Sequence, residues 1–303
     1  MADASTAPRL PLKPVWIHDL LILWRRNQAL ALLLERAGDY AAQEIRSASV
    51  RRAVLAQAAV HFVETRGQGK AARTLPQNVW ASYSRNFPAA ALAPAYLVHL
   101  TAQWPLALDL TVAWADRLTP GQGLDQVFDE ALLAELLGAE PDGNAAPARG
   151  RLAELDAWLR TLHYFGVLAA RRSAGVEALA GRYVFAGRLA VPPPVFPLLV
   201  WTWWQQQGMP TVDLADFARS PLLGWMAAED FAAGWAAAAG KLWTLDASGC
   251  TARLHPGDRA GFVRALLNLL STDGRRGRNL PRRGELPEPP EPPAEAAARA
   301  SRT

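Results

Sequence analysis

Six arginines between positions 151 and 188 have the residue type and spacing that best suit a definable chemistry. Arg171 and Arg172 fall on the first of two short β-prone runs in GVLAARRSAGVEALAGRYVFAG (166–187), and Arg182 and Arg188 lie on or beside the second. Arg151 and Arg160 belong to the amphipathic segment just before it. A guanidinium keeps its charge at any ordinary pH, and its planar fork of donors matches phosphate oxygens. A hairpin projecting beyond a folded body can carry such groups to a nucleic-acid backbone, where every phosphate neutralised releases counterions. The same arginines also read as edge charges that keep open strands from pairing with other chains.

Other chemistries find little support. His18, His61, His99, His163 and His255 show no metal-ligand spacing with one another or with Cys250. No GxSxG nucleophile elbow is present. The GQGK at 67–70 lacks both the upstream glycine and the following Ser or Thr of a phosphate-binding loop, so it reads as a turn. Asp125, Asp129, Glu130 and Glu135 recur at helical spacing and read as a solvated face. The expectation is a non-enzyme with no catalytic residue, no metal and no cofactor. The 12 tryptophans invite base stacking, but most fall on apolar stripes and read as core.

The elements that must position the arginines follow a pattern seen twice: an amphipathic helix, a short strand, a Gly-containing turn and a second strand. The first copy is Leu152 to Phe165 followed by 166–187, with Leu152, Leu155, Leu159 and Leu162 as its apolar stripe. The second is Glu229 to Leu242 followed by LWTLDASGCTARLHP (242–256). A helix running directly into a two-stranded hairpin is the closing part of a winged-helix module, which commonly binds duplex DNA. In the second copy Asp213 is placed to cap a short helix and Ser220-Pro221 to start another turn. Its helix carries Glu229, Asp230 and mostly alanine, which suits packing or a protein contact better than phosphate. Cys250 reads as a small hydrophobe in the last strand.

The flanking segments are helical or irregular. Trp16, Leu20, Leu21 and Trp24 keep helical spacing, and Leu30, Leu33 and Leu34 continue it towards Gly38. A second helix is expected from about Tyr40 to Glu64, then a break at RGQGKAAR (66–73). Helices over 92–102 and 106–118 meet at Trp104-Pro105, with Pro105 at a helix start, and 124–137 forms another. VPPPVFPLLVWTWW (191–204) is too short to span a bilayer and reads as a helix from Pro197; an interfacial anchor is the sharper alternative. The last helix covers Arg259 to Leu270. The expected fold is mainly α: an N-terminal helical bundle (1–137), a linker (138–150), a winged-helix-like unit (151–205), a second such unit (206–271) and a disordered basic, Pro-rich tail (272–303). That tail holds Arg275, Arg276, Arg278, Arg282 and Arg283 within GRRGRNLPRR, a weaker candidate for DNA contact.

Charge is unevenly spread. Residues 1–74 carry 11 basic and 6 acidic side chains, whereas 75–150 carry 3 and 8. The stretch 151–190 has 6 basic against 3 acidic, so the first helix–hairpin unit is basic while 191–271, with 5 against 6, is not. A net charge of +4 over 303 residues permits a nucleic-acid surface without demanding one. One cysteine excludes an intramolecular disulfide framework, and the absence of an N-terminal apolar core suggests a cytoplasmic protein with no membrane partner.

The helix pair AYLVHLTAQWPLALDLTVAWADRL (95–118), ending near Arg117, the later helix LAELDAWLRTLHYFGVLA (152–169), and the hairpin leading into Pro-containing apolar sequence follow one order. That layout, over residues 45–205, resembles the BrxA family of BREX phage-defence islands. The resemblance implies a non-catalytic, DNA-binding accessory component of a bacterial antiviral system. The additional unit at 206–271 and the acidic middle depart from the family's pattern.

Two functions fit these residues. One is a DNA-binding accessory protein that touches double-stranded DNA, with little or no sequence specificity, through the 151–190 wing and the basic tail, alongside other proteins of its complex. The alternative is a helical and winged-helix scaffold whose Trp-rich 190–245 region binds a protein partner without direct DNA contact.

Overall fold

The computed structural model describes residues 10–115, 117–126, 148–171 and 182–273. The chain begins with α1 (Pro14–Ile22), α2 (Leu30–Ala41) and α3 (Ala48–Phe62). A two-stranded ribbon follows, β1 (Thr65–Arg66) against β2 (Arg73–Thr74), and then α4 (Val79–Ser84), α5 (Ala89–Gln103) and α6 (Pro105–Trp114). The second half holds α7 (Ala148–Phe165), the antiparallel pair β3 (Leu168–Ala170) and β4 (Tyr183–Phe185), and α8 (Phe196–Gln207). It continues through β5 (Thr211–Asp213), α9 (Leu214–Ala218), α10 (Phe231–Ala238), β6 (Trp243–Leu245), β7 (Thr251–Leu254) and α11 (Arg259–Asp273). Among the described residues the fold is mainly helical with three small antiparallel sheets.

Several local signals act as their chemistry requires. Pro105 occupies the first turn of α6, where its missing N–H leaves no bond unmade. Asp213 caps α9, its carboxylate accepting from the Ala215 and Asp216 amides at 2.9 and 3.0 Å. Pro197 lies in the first turn of α8, and Gly208, at φ +78°, closes that helix in the left-handed region. Residues Phe196–Trp204 are all buried, so this stretch presents no interfacial anchor. Among the described residues no helix is long and apolar enough to cross a membrane.

Other expectations need correction. The pattern from Trp16 to Gly38 is two helices, because the chain leaves helix at 23–29 to pair along β2. The helix expected from Tyr40 to Glu64 starts only at Ala48, after the capping Ser47, whose hydroxyl accepts from the Val50 amide. The N-terminal part is not purely helical, since 66–73 holds most of the β1–β2 ribbon. The linker expected at 138–150 gives way to helix at Ala148; residues 127–147, which include most of the helix expected at 124–137, lie outside the described residues. Cys250 is exposed, in the β6–β7 turn.

One hydrophobic core runs from Leu12 to Leu270. Its centre is α5, where every residue from Leu92 to Thr101 is buried. Helices α1, α6 and α8 pack around it, and α11 returns to lie against α4 and α8. All 12 tryptophans of the chain are buried. Two aromatic clusters dominate. Phe62, Trp80, Tyr96, His99 and Trp201 join α3, α4 and α5 to α8, with Trp80 4.8 Å from His99 and 5.6 Å from Trp201. Phe196, Phe217, Phe231, Trp235 and Trp243 fill the sheet-bearing end, with Phe196 5.1 Å from Trp235.

The second cluster depends on a missing side chain. A Cβ at Gly234 would collide with the Phe196 ring, so only glycine lets α10 lie this close to α8. Gly234→Ala is expected to lower stability by about 1–3 kcal/mol, the usual cost of overpacking. Urea denaturation measures this, and an unchanged midpoint would contradict it.

The first cluster makes a pH prediction. Burial holds His61 and His99 at a pKa of about 4, below the ordinary 6.5. The unfolded chain therefore binds these protons first as pH falls. Stability is fully present above about 6.5 and declines towards pH 4, by roughly 1.4 kcal/mol per pH unit for each histidine. His99 Nε2 donates to the His61 carbonyl at 2.9 Å. His99→Gln keeps a donor for that carbonyl and does not titrate, so it should flatten the decline; equal stability at pH 7 and pH 5 in the unmodified chain would refute the assignment.

Candidate nucleic-acid interface

The expected contact surface is built on α7 and the β3–β4 hairpin. Helix α7 turns Leu155, Trp158, Leu159, Leu162 and Phe165 into the core, and Trp158 meets Trp104 edge-on at 4.9 Å. Leu152, expected on the same stripe, is 42% exposed. Gly166, at φ +85°, ends the helix: its amide donates to the His163 carbonyl and the Val167 amide to the Leu162 carbonyl, both at 3.0 Å. The chain then enters β3 directly.

The hairpin register pairs Leu168 with Phe185 and Ala170 with Tyr183. The Arg171 amide donates to the Arg182 carbonyl at 2.8 Å, which extends the same register by one step. Arg171 and Arg182 are thus directly opposed at the end of the described hairpin, both exposed. The other edge of β4 is covered by residues 121–123, through Gly121 N to Phe185 O at 2.8 Å and Phe185 N to Gln122 O at 2.9 Å. Pairing on both sides fixes β4 and with it the position of Arg182.

Arg160 is exposed on α7 and pairs with Asp156 one turn earlier, at 2.9 Å. Exposed pairs of this kind contribute little to stability, but the carboxylate offsets part of the local charge. Tyr183 links the two elements. Burial pushes its phenol above the ordinary range, with Asp156 and Tyr164 adding to the rise while Arg160 and Arg182 oppose it. Arg160 and Arg182 therefore act on one spot from different elements. Arg151 does not share that face: it stands nine positions upstream, half a turn round at about 100° per residue.

Arg188 has another task. Its guanidinium donates to the Ala115 carbonyl at 2.8 Å and the Gly224 carbonyl at 3.2 Å, joining the end of α6 to the segment before α10. The joint is tight: a Cβ at Gly224 would lie 2.6 Å from the Ala115 Cβ, and Trp225 Nε1 donates to Thr111 Oγ1 at 2.7 Å. Arg172 and the tail arginines Arg275, Arg276, Arg278, Arg282 and Arg283 lie outside the described residues.

The sheet-bearing end offers a different surface. Helix α10 exposes Ala232, Ala233, Ala236 and Ala237, with Glu229 and Asp230 just before it. At the β6–β7 turn Asp246 accepts from Ser248 Oγ and from the Cys250 and Thr251 amides, and these bonds hold its carboxyl below the usual range. A lasting negative charge at that turn opposes phosphate. The Trp-rich stretch 190–245, the alternative docking region, has its indoles inside the core. Among the described residues no group of three or more His, Cys, Asp or Glu side chains is placed to hold a metal ion.

Sequence reasoning missed a second basic surface, around the β1–β2 ribbon. The excess of basic residues in 1–74 was its only signal, because the residues that meet there are far apart in the chain. No family model, curated protein or solved structure matches the chain.

Arg188→Ala should lower stability by about 1–3 kcal/mol, since two backbone carbonyls lose a charged donor. A thermal melt unchanged from that of the unmodified protein would show that the joint holds without it.

Proposed function

We propose that this chain is a non-catalytic, duplex-DNA-binding accessory protein that contacts backbone phosphate through the α7–hairpin surface. The observation that carries this reading is that Arg171 and Arg182 stand opposed and exposed at the end of a hairpin whose strand β4 is paired on both sides, with Arg160 of α7 acting on the same Tyr183 as Arg182. Charge on a rigid element loses little conformational freedom on binding and so gives more affinity per contact.

Topology supports the same reading. From α8 onward the order is helix, strand, helix, helix, strand, strand, and the three strands lie β5-β7-β6. This order is compatible with a winged-helix unit, in which α10 would take the place of the helix that enters a groove. The alanine face of α10 and the anionic turn at Asp246 fit a bracing or protein-contacting role for this unit, leaving phosphate to the first hairpin. The resemblance to the BrxA family adds a bacterial phage-defence setting to the proposal, on which the DNA measurement does not depend.

The test is fluorescence anisotropy of a labelled random duplex of about 30 base pairs at about 50 and 200 mM salt. Arg171→Glu with Arg182→Glu should weaken binding across all sequences and reduce the slope of log affinity against log salt by about 2. Binding with an unaltered slope would exclude this hairpin from the interface.

A further inference from the structure

The β1–β2 ribbon gathers cations from three separate stretches of chain. Arg66 stands directly opposite Arg73 in the antiparallel register. Residues 27–30 run along the other side of β2, through Asn27 N to Thr74 O at 3.2 Å, Thr74 N to Gln28 O at 2.9 Å and Leu30 N to Ala72 O at 3.1 Å. The Thr74 side chain, fully buried, locks this arrangement: its hydroxyl donates to the Arg25 carbonyl and accepts from the Gln28 amide. Arg25 and Arg26 are thereby held beside the ribbon, and Arg66 reaches across to Asn27 Oδ1 at 3.2 Å. Lys70 lies in the ribbon's connection, where Gly67, at φ +77°, allows the tight turn.

Arg25, Arg26, Arg66, Lys70 and Arg73 are all exposed, and among the described residues none of them is ion-paired. Glu64, the acid next to β1, lines the cavity of about 640 Å³ between α3, α8 and α11 with His61 and Arg264. Arg85 lies over the Trp24 ring at 5.4 Å and donates to the Trp24 carbonyl; burial and the charge of Arg25 hold its pKa below the ordinary range. Like charges directly opposed across two strands destabilise the pair. The pairing of β2 with residues 27–30 and the buried Thr74 hold the two charges together, and an external polyanion removes their repulsion.

The chemistry of the surface selects the polyanion. Between residues 61 and 85 no large apolar side chain is exposed, and Leu32 on α2 and Val60 on α3, exposed on the flanking helices, are single aliphatic side chains rather than a bulky apolar anchor for a lipid interface. The tryptophans nearby, Trp24 and Trp80, are buried, as is Tyr83, so these rings offer no platform for unpaired bases. What remains is charge alone, which suits the evenly spaced phosphates of a duplex. We propose that Arg25, Arg26, Arg66, Lys70 and Arg73 form a second contact with the duplex-DNA backbone, separate from the hairpin. This inference rests on the DNA-binding reading above and adds a second contact surface to it.

The experiment uses the full chain, the same labelled duplex and the same two salt concentrations. Arg66→Glu with Arg73→Glu should weaken binding at least tenfold at low salt and reduce the salt slope by about 2. Because both side chains are exposed and one like-charged pair replaces another, the variant should melt close to the unmodified protein. Arg66→Gln with Arg73→Gln, which only removes charge, should give a smaller loss in the same direction. If the ribbon variants bind like the unmodified protein while the hairpin variant is weakened, the inference fails and the hairpin reading stands. If the ribbon variants weaken and the hairpin variant does not, the hairpin reading fails and the ribbon stands. An unmodified protein that ignores duplex even at low salt overturns both.

Discussion

The packing of Trp80 between His99 and Trp201 is the interaction on which the rest of the structure depends. It brings α4, α5 and α8 into one contact, with Phe62 of α3 and Tyr96 closing round it at 5.0 to 5.9 Å. Through α8 this cluster meets the aromatic group at the sheet-bearing end, and α11 closes over it from the far terminus of the described chain. Large aromatic side chains supply much apolar burial for few rotatable bonds. Neutral imidazoles let two histidines join such a core without a charge penalty, at the cost of stability in acid.

That core fixes the spatial relation between two ribbons with a common design. Each is a short antiparallel pair carrying directly opposed arginines, Arg66 with Arg73 and Arg171 with Arg182. Each also has a third segment paired along one of its strands, 27–30 beside β2 and 121–123 beside β4. The tryptophans are inside and the arginines outside, so packing and recognition use different residues. Some arginines also serve the fold: Arg188 turns its charge to backbone carbonyls and ties α6 to the approach to α10, while Arg25 and Arg85 both donate to the Trp24 carbonyl.

Much of the fold was legible where a single residue dictates local geometry. Pro105 and Asp213 marked helix starts through a missing N–H and a capping carboxylate, and the structure uses both in that way. Periodicity misled where apolar spacing crossed a break, as between Trp24 and Leu30, because the pattern records burial rather than helix. Strand β5 was not foreseen: only Val212 of Thr211–Asp213 is buried, and its pairing partner β7 is far along the chain. Part of the candidate site was legible for the same reason as the fold. Arg171 and Arg182 belong to one local hairpin, and Arg160 to the helix feeding it. Arg25, Arg66 and Arg73 meet only through hydrogen bonds between residues 27–30 and 72–74, which no local pattern encodes.

Amide hydrogen exchange of the full chain, with and without duplex DNA, tests most directly whether one rigid core presents two phosphate-binding ribbons. The predicted result is added protection at 25–28, 65–74, 168–171 and 182–185 in the same experiment, with α10 and the β6–β7 turn unchanged. Protection centred on α10 and that turn, or no change anywhere, would contradict it.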